Sequence, residues 1–152
     1  MIAACLARPA DLPAIADITD QAYAPYEAML GGKPLPMTED YGPRVARGEV
    51  WLVDRDRQPA GLMVVERAAD HLMIFSLAVL PEAQHQGIGR WMLRHAETLA
   101  RHSGLPALRL YTNTRMERNI ALYRRYGFQD AGQRANPHRA GWMFQDMEMK
   151  LG

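Results

Sequence analysis

The residues best suited to chemistry are concentrated in one short run, Gln84-His85-Gln86-Gly87-Ile88-Gly89-Arg90. Two glycines in such a run let the backbone approach a ligand closely. Where a run of this kind opens a helix, the first N–H groups have no acceptor inside the helix, and the aligned peptide dipoles favour an anion. The chemistry implied is the seating of a phosphate or pyrophosphate. A glycine-rich turn that only reverses the chain would use the same residues. Other phosphate motifs are absent: there is no Gly-Lys-Ser or Gly-Lys-Thr ending, and no third glycine after Gly89 completes a dinucleotide fingerprint. The five His form no His-x-x-x-His pair that could hold a metal, and neither Ser76 nor Ser103 sits in a nucleophile elbow.

The turn needs a strand before it and a helix after it. Residues 71–80 are almost continuously apolar, as in a strand covered on both faces, and Pro81-Glu82-Ala83 stops them. From Gly87 the period changes, and Ile88, Trp91, Met92, Ala96 and Leu99 predict a helix to about Arg101. Upstream, residues 2–7 read as a strand. Asp11 can cap a helix whose inward face is Leu12, Ile15, Ala16, Thr19, Ala22 and Tyr23, with 26–30 prolonging it irregularly. Residues 31–36 form a loop, and Thr38, Tyr41 and Val45 predict a short helix ended by Gly48. Strands at 50–53 and 60–66 flank a turn-rich 54–58 segment, which reads as a hairpin. A strand at 108–111, a helix at 117–126 stopped by Gly127, and strands at 128–133 and 142–151 complete the chain. This order predicts an α/β (α+β) fold with a mixed sheet, not the regular alternation of a doubly wound one.

Composition narrows the function classes. A length of 152 residues fits a single domain, and 48% hydrophobic with 23% charged residues excludes disorder. With 18 Lys plus Arg against 17 Asp plus Glu, the net charge of +1 gives no reason to expect a nucleic-acid or membrane partner. The single Cys5 excludes an internal disulfide, and its apolar run predicts a buried, inert thiol. The amino terminus lacks the features of a signal peptide, and no apolar run approaches the roughly 20 residues of a membrane span, so the cytoplasm is the expected location. Met143, Met147 and Met149 fit strand packing or a dimer surface.

Two segments together resemble a known family. Leu77-Ala78-Val79, Pro81-Glu82 and then Gln84-x-x-Gly87-x-Gly89 are similar to the cofactor-binding motif of the GNAT superfamily of N-acyltransferases, Gln/Arg-x-x-Gly-x-Gly/Ala after the fourth strand. Asn119-Ile120-Ala121-Leu122-Tyr123-Arg124-Arg125-Tyr126-Gly127-Phe128 is similar to that family's Asn-x-x-Ala/Leu-Tyr-x-x-x-Gly-Phe segment. The resemblance implies a mixed, mostly antiparallel sheet of about seven strands with helices on both faces, splayed at the cofactor site.

It also implies acetyl-CoA as co-substrate. The amides from Gln86 through Ile88 and Gly89 to Arg90 would wrap the pyrophosphate, with His85 in the turn and the Gln84 side chain helping. The backbone of Leu77, Ala78 and Val79 would hold the pantetheine arm like an added strand, and an N–H near Leu77 or Ala78 would stabilise the oxyanion if the strand is bulged. An amine with a pKa of about 10.4 needs a base or a desolvating site, and a thiolate whose thiol titrates near about 8.5 benefits from an acid. Tyr123 holds the position of the family's general acid; packed in a helix, it would also serve as plain core. Asn113, Asn119 and Tyr126 are further cofactor candidates, with helix-start or packing roles as alternatives.

The base is less defined. Residues 71–79 carry no carboxylate where many relatives have a Glu, and Glu27, beside Tyr23 and Tyr26, is the first candidate; a water chain or a solvated surface Glu27 stays open. Tyr26, Met29, Met37 and Trp142 could wall an acceptor pocket or simply fill the core. The implied reaction moves an acetyl group to a primary amine of a small molecule or peptide by direct attack in a ternary complex. The alternatives are a non-catalytic acyl-CoA-binding or regulatory module, and an enzyme acting on charged transfer RNA through Arg115, Arg118, Arg124 and Arg125. Dimers are common in the family, which implies a homodimer.

Overall fold

Local pattern and turn chemistry account for most of the elements in the computed structural model, which describes residues 1–152. Strand β1 (Ile2–Leu6) leads through a short 3-10 turn to helix α1 (Leu12–Leu30). Asp11 stands at the N-cap, but its carboxylate accepts the Arg8 N–H at 2.8 Å instead of one from the first turn. α1 buries Ile15, Ile18, Thr19, Ala22, Tyr23 and Leu30. Ile18 takes the place expected of Ala16, which is exposed, because steps of three and of four from Ile15 both satisfy the helical period. Pro25 lies inside α1, and the helix continues regularly to Leu30, where the Gly31 and Gly32 N–H groups bond the Glu27 carbonyl.

Helix α2 (Gly42–Ala46) precedes strands β2 (Val50–Arg55) and β3 (Gln58–Arg67). Their connection is only Asp56-Arg57, both left-handed at φ 50° and 68°, as the twist of a two-residue hairpin requires. Strand β4 (Leu72–Val79), helix α3 (Ile88–His102), strand β5 (Ala107–Asn113), helix α4 (Glu117–Tyr126), strand β6 (Gln129–Ala135) and strand β7 (Met143–Lys150) follow. They form one seven-stranded open sheet in the order β1-β2-β3-β4-β5-β7-β6. β1/β2, β2/β3, β5/β7 and β6/β7 are antiparallel, and β4/β5 is parallel. The parallel ladder runs from Leu72–Leu108 to Ile74–Leu110, while β4 continues to Val79 and β5 to Asn113. The expected mixed sheet is therefore present.

The chain packs as two compact units, Met1–Val65 with Phe75–Met92, and Glu66–Ile74 with Leu93–Gly152. The first has Ile15, Val50, Val53, Leu62, Val64, Ile88 and Met92 in its core; the second has Leu72, Leu93, Ala96, Leu108, Ile120 and Met147.

Two expectations are corrected. β4 is not covered on both faces: Leu72, Ile74, Ser76 and Ala78 are buried, whereas Met73, Phe75, Leu77 and Val79 are only partly so. Both rows are apolar apart from Ser76, so residue type conceals the alternation in burial. Cys5 is exposed, because β1 is an edge strand and its alternation turns residues 3 and 5 outward. At the opposite edge all seven residues of β6 are exposed. Its pairing with β7 shifts between Asp130 and Gln133, a bulge in which Gly132 adopts φ 106°. The Arg124–Asp130 and Arg134–Asp146 ion pairs flank it.

One backbone contact holds the end of β4. A Cβ at Gly61 in β3 would lie 2.1 Å from the Ala78 carbonyl oxygen and 2.9 Å from Met92 Cε. Gly61→Ala is accordingly expected to destabilise the protein by about 3 kcal/mol, the upper range for overpacking, read from urea unfolding midpoints. A loss below about 0.5 kcal/mol, the usual scale of harmless surface changes, would refute the close approach.

Candidate active site

In the first unit the chain leaves β4 at Val79, and the Leu80 N–H donates to the Ala60 carbonyl at 2.8 Å. After the 3-10 turn Pro81–Ala83, His85 and Gly87 take left-handed conformations, φ 61° and 80°. Such residues turn neighbouring N–H groups toward one side, making a concavity for an anion. The two glutamines brace the turn, Gln84 donating to the Val79 carbonyl and Gln86 to the Glu82 carbonyl, each at 3.4 Å. The Trp91 N–H closes the first turn of α3 on the Gly87 carbonyl at 3.0 Å. A side chain at Gly87 would meet nothing within 4 Å, so open space lies directly against its backbone. The donor set and the free volume both fit a phosphate. Arg55, at the end of β2, donates to the Gln86 side-chain oxygen and brings a guanidinium to the turn. Sequence reasoning missed it, because only the hairpin carries residue 55 to residue 86.

The same unit assembles a polar cluster behind β4. The Tyr23 hydroxyl lies 2.9 Å from Ser76 Oγ and 3.4 Å from the Leu77 carbonyl. Burial raises the Tyr23 pKa to about 12 against the opposing pull of Ser76. Tyr41 is raised as well, first by burial and then by Tyr23, and its hydroxyl donates to the Pro36 carbonyl at 2.6 Å. The Tyr26 ring lies 6.1 Å from that of Tyr23. Buried Arg44 places its guanidinium 4.0 Å from the Phe75 ring centroid and pairs with Glu39 and, at 3.1 Å, with Glu49. Asp40 accepts the Gly42 N–H. Glu39 and Asp40 are thus committed, whereas Glu27 is half-buried and joins no ion pair. It follows Tyr23 by four residues, on the same face of α1. Met37 is half-buried in this unit and Met29 is exposed.

The second unit holds the remaining candidates. Asn113 is buried, and its side-chain oxygen accepts the Arg115 N–H at 2.9 Å, forming the turn from β5 to α4. Asn119 is half-buried in the first turns of α4. Tyr123 is buried with its ring edge-on to Phe128, centroids 6.1 Å apart. Gly127 makes this possible: at φ 132° it lets the Phe128 N–H return to the Tyr123 carbonyl at 3.0 Å. The Tyr126 hydroxyl donates to Glu97 at 2.9 Å, tying α4 to α3. Arg124 is spent on Asp130 at 2.7 Å, and the Trp142 ring lies under Arg139 at 4.5 Å.

Residues 46–130, more than half of the chain, match the family model described as acetyltransferase (GNAT) domain. The chain belongs to the GNAT acetyltransferase family. It is 32% identical over 77 residues to the ribosomal protein bS18-alanine N-acetyltransferase of Escherichia coli, a match covering 51% of this chain and 52% of that one. The matched stretch spans about half the length of the first curated relatives. The crystal structure of the E. coli S18-alanine enzyme superposes with a TM-score of 0.78 at 24% identity, covering 99% of this chain and 94% of that one. The Thermoplasma acidophilum PaiA N-acetyltransferase, solved with coenzyme A, gives 0.82 at 18% identity and covers 99% of each chain. Both likenesses concern the fold.

The glycine turn and the half-exposed row of β4 both lie in the first unit. The buried phenols nearby have a measurable consequence. The fold favours neutral Tyr23, so this contribution is complete below an ordinary tyrosine pKa of about 10 and is lost as pH rises through about 12. Urea stability should fall across that window, and Tyr23→Phe should flatten part of the fall. An equally steep decline in the variant would show that Tyr23 ionises like an exposed phenol.

Proposed function

We propose that this protein is an acetyl-CoA-dependent N-acetyltransferase whose acceptor is a primary amine on a small molecule or a peptide. The observation that carries the proposal is the Gln84–Arg90 turn, with two left-handed residues, open space at Gly87 and a helix starting beyond it. Gln86 through Arg90 would take the pyrophosphate on their amides, with Arg55 adding a positive charge that Gln86 holds at the turn. The partly exposed row of β4, with Leu77 and Val79 in it, would receive the pantetheine as an extra strand.

The bound co-substrate supplies an acetyl thioester. At that carbonyl a C–N bond forms to the amine and the C–S bond breaks. A backbone N–H of the Leu77–Ala78 stretch would stabilise the intermediate oxyanion. We assign the acid to Tyr123, whose phenol would protonate the departing thiolate, and its ring is held by Phe128. We assign the base to Glu27, because, of Glu27, Glu39 and Asp40, it is the one not taken up by an arginine or a backbone N–H. Asn113, which builds the β5–α4 turn, and Tyr126, which ties α4 to α3, would be further cofactor contacts. Asn119 is kept as a cofactor contact.

Apolar Phe75 and Leu77 and the neutralised Arg44 cluster favour an acceptor with apolar groups beside its amine over a polycation. The similar E. coli enzyme is named for an alanine of a ribosomal protein, which supports a peptide terminus as the first acceptor class to try.

Calorimetric titration with acetyl-CoA should show binding that Gly87→Trp abolishes, with the fold of the variant checked by circular dichroism. In a CoA-release assay over an amine and peptide panel, Tyr123→Phe should lower kcat by about 100-fold, the low end for a lost general acid, with little change in KM. No binding by folded wild-type protein would sink the proposal. Binding without turnover on any amine would leave a non-catalytic acyl-CoA module.

A further inference from the structure

Most arginines with a fixed partner in this protein are held by an acid. Arg44, Arg47, Arg101, Arg109, Arg124 and Arg134 each lie against a carboxylate. Arg55, the last residue of β2, is held differently: its Nη1 donates to the side-chain oxygen of Gln86. A neutral amide orients a guanidinium without cancelling its charge. The Asp56 carboxylate next along the chain bonds the Met1 amino group instead. Arg55 thus joins no ion pair, and its bond to Gln86 uses Nη1 alone. The Nε–Nη2 edge stays open, and that edge presents two parallel N–H donors, the arrangement that grips a phosphate in bidentate fashion.

Both ends of the Arg55–Gln86 bond are anchored. The Asp56–Arg57 turn is the shortest hairpin connection, and the Asp56 N–H donates to the Met1 carbonyl at 2.8 Å. The strand end that carries Arg55 therefore has little slack. Gln86 receives Arg55 on its side-chain oxygen while its amide nitrogen donates to the Glu82 carbonyl at 3.4 Å. The left-handed non-glycine residues of the chain, Asp56, Arg57 and His85, all fall in these two turns. Gln86 is followed directly by Gly87, against which open space lies. A guanidinium fixed on Gln86 stands beside the volume that a phosphate would fill.

We infer that Arg55 is a phosphate ligand of the co-substrate, supplied by the β2–β3 hairpin from outside the glycine turn, and that Gln86 is its positioning residue. The inference rests on the acetyltransferase reading above. Backbone N–H groups at a helix start offer partial charge, whereas Arg55 offers a full one. It therefore favours donors that carry the phosphorylated nucleotide. CoA has two such groups, the pyrophosphate and the phosphate on its ribose, and the same guanidinium edge fits either.

Calorimetric titrations of the whole protein with CoA and with dephospho-CoA, which lacks the ribose phosphate, provide the test. For CoA, Arg55→Ala should raise Kd about tenfold, the low end for a charge-assisted hydrogen bond. Arg55→Lys keeps the charge without the fork and should recover part of that loss. At saturating acetyl-CoA, kcat in Arg55→Ala should stay within about twofold, as for binding shared by ground and transition states. A loss that persists with dephospho-CoA assigns Arg55 to the pyrophosphate, and one that vanishes assigns it to the ribose phosphate. Gln86→Ala should weaken CoA binding by about threefold, and by less when residue 55 is already Ala. Fully additive losses would overturn the positioning role of Gln86. Arg57→Gly removes a cation from the same hairpin while suiting its left-handed backbone, and should leave Kd within about twofold. Arg55 is exposed, so the urea midpoint should be unchanged in its variants. An unchanged Kd in Arg55→Ala, or an equal loss in Arg57→Gly, overturns the inference. If folded wild-type protein binds no CoA, the acetyltransferase reading falls and takes this inference with it. Wild-type binding that Arg55→Ala leaves intact overturns this inference alone.

Discussion

Gly61 has room for a hydrogen and nothing larger, and much of the first unit depends on that restriction. The Ala78 carbonyl occupies the space a side chain would need, so β3 and the end of β4 meet backbone to backbone. Leu80 then lands on Ala60, the chain turns at Pro81, and the left-handed residues His85 and Gly87 set the start of α3. With its inner row buried, β4 leaves an outer row of Met73, Phe75, Leu77 and Val79 only partly covered. An apolar surface kept open in this way is costly unless something binds it, and a strand held rigidly from behind is suited to present it.

The polar groups around this strand divide by task. Arg44 is buried, and with Arg47 it balances Glu39 and Glu49, so the cation stacked on Phe75 sits in a cluster of no net charge. Ser76 and Tyr23 are neutral and hydrogen-bonded to each other and to the backbone. Of Glu27, Glu39 and Asp40, only Glu27 is not taken up by an arginine or a backbone N–H. Burial and pairing thus determine which groups remain available for chemistry, which residue type alone does not reveal.

The elements and the turn were legible in the sequence because their causes are local. The Gly87 turn, the period of α3 and the stop at Gly127 are each written within a few residues. Helix α4 falls on the predicted 117–126. What escaped depends on contacts distant along the chain. Arg55 reaches Gln86 across 31 residues, and Ser76 meets Tyr23 across 53. Tyr126 carries the same residue type as Tyr123 one turn earlier, yet only the fold commits its hydroxyl to Glu97. Cys5 was misread because an apolar run does not say which strand becomes the sheet edge.

Strand β6 raises a colloidal question that catalysis does not. Seven exposed residues along a sheet edge offer unpaired N–H and C=O groups on which another molecule could align. The bulge near Gly132 interrupts that row and bends the strand, and salt-bridged arginines stand on either side of it. A kinked, charged rim is a poor template for indefinite strand-on-strand growth. The irregularity in pairing therefore works against the edge-to-edge stacking that a straight, unbroken strand would invite.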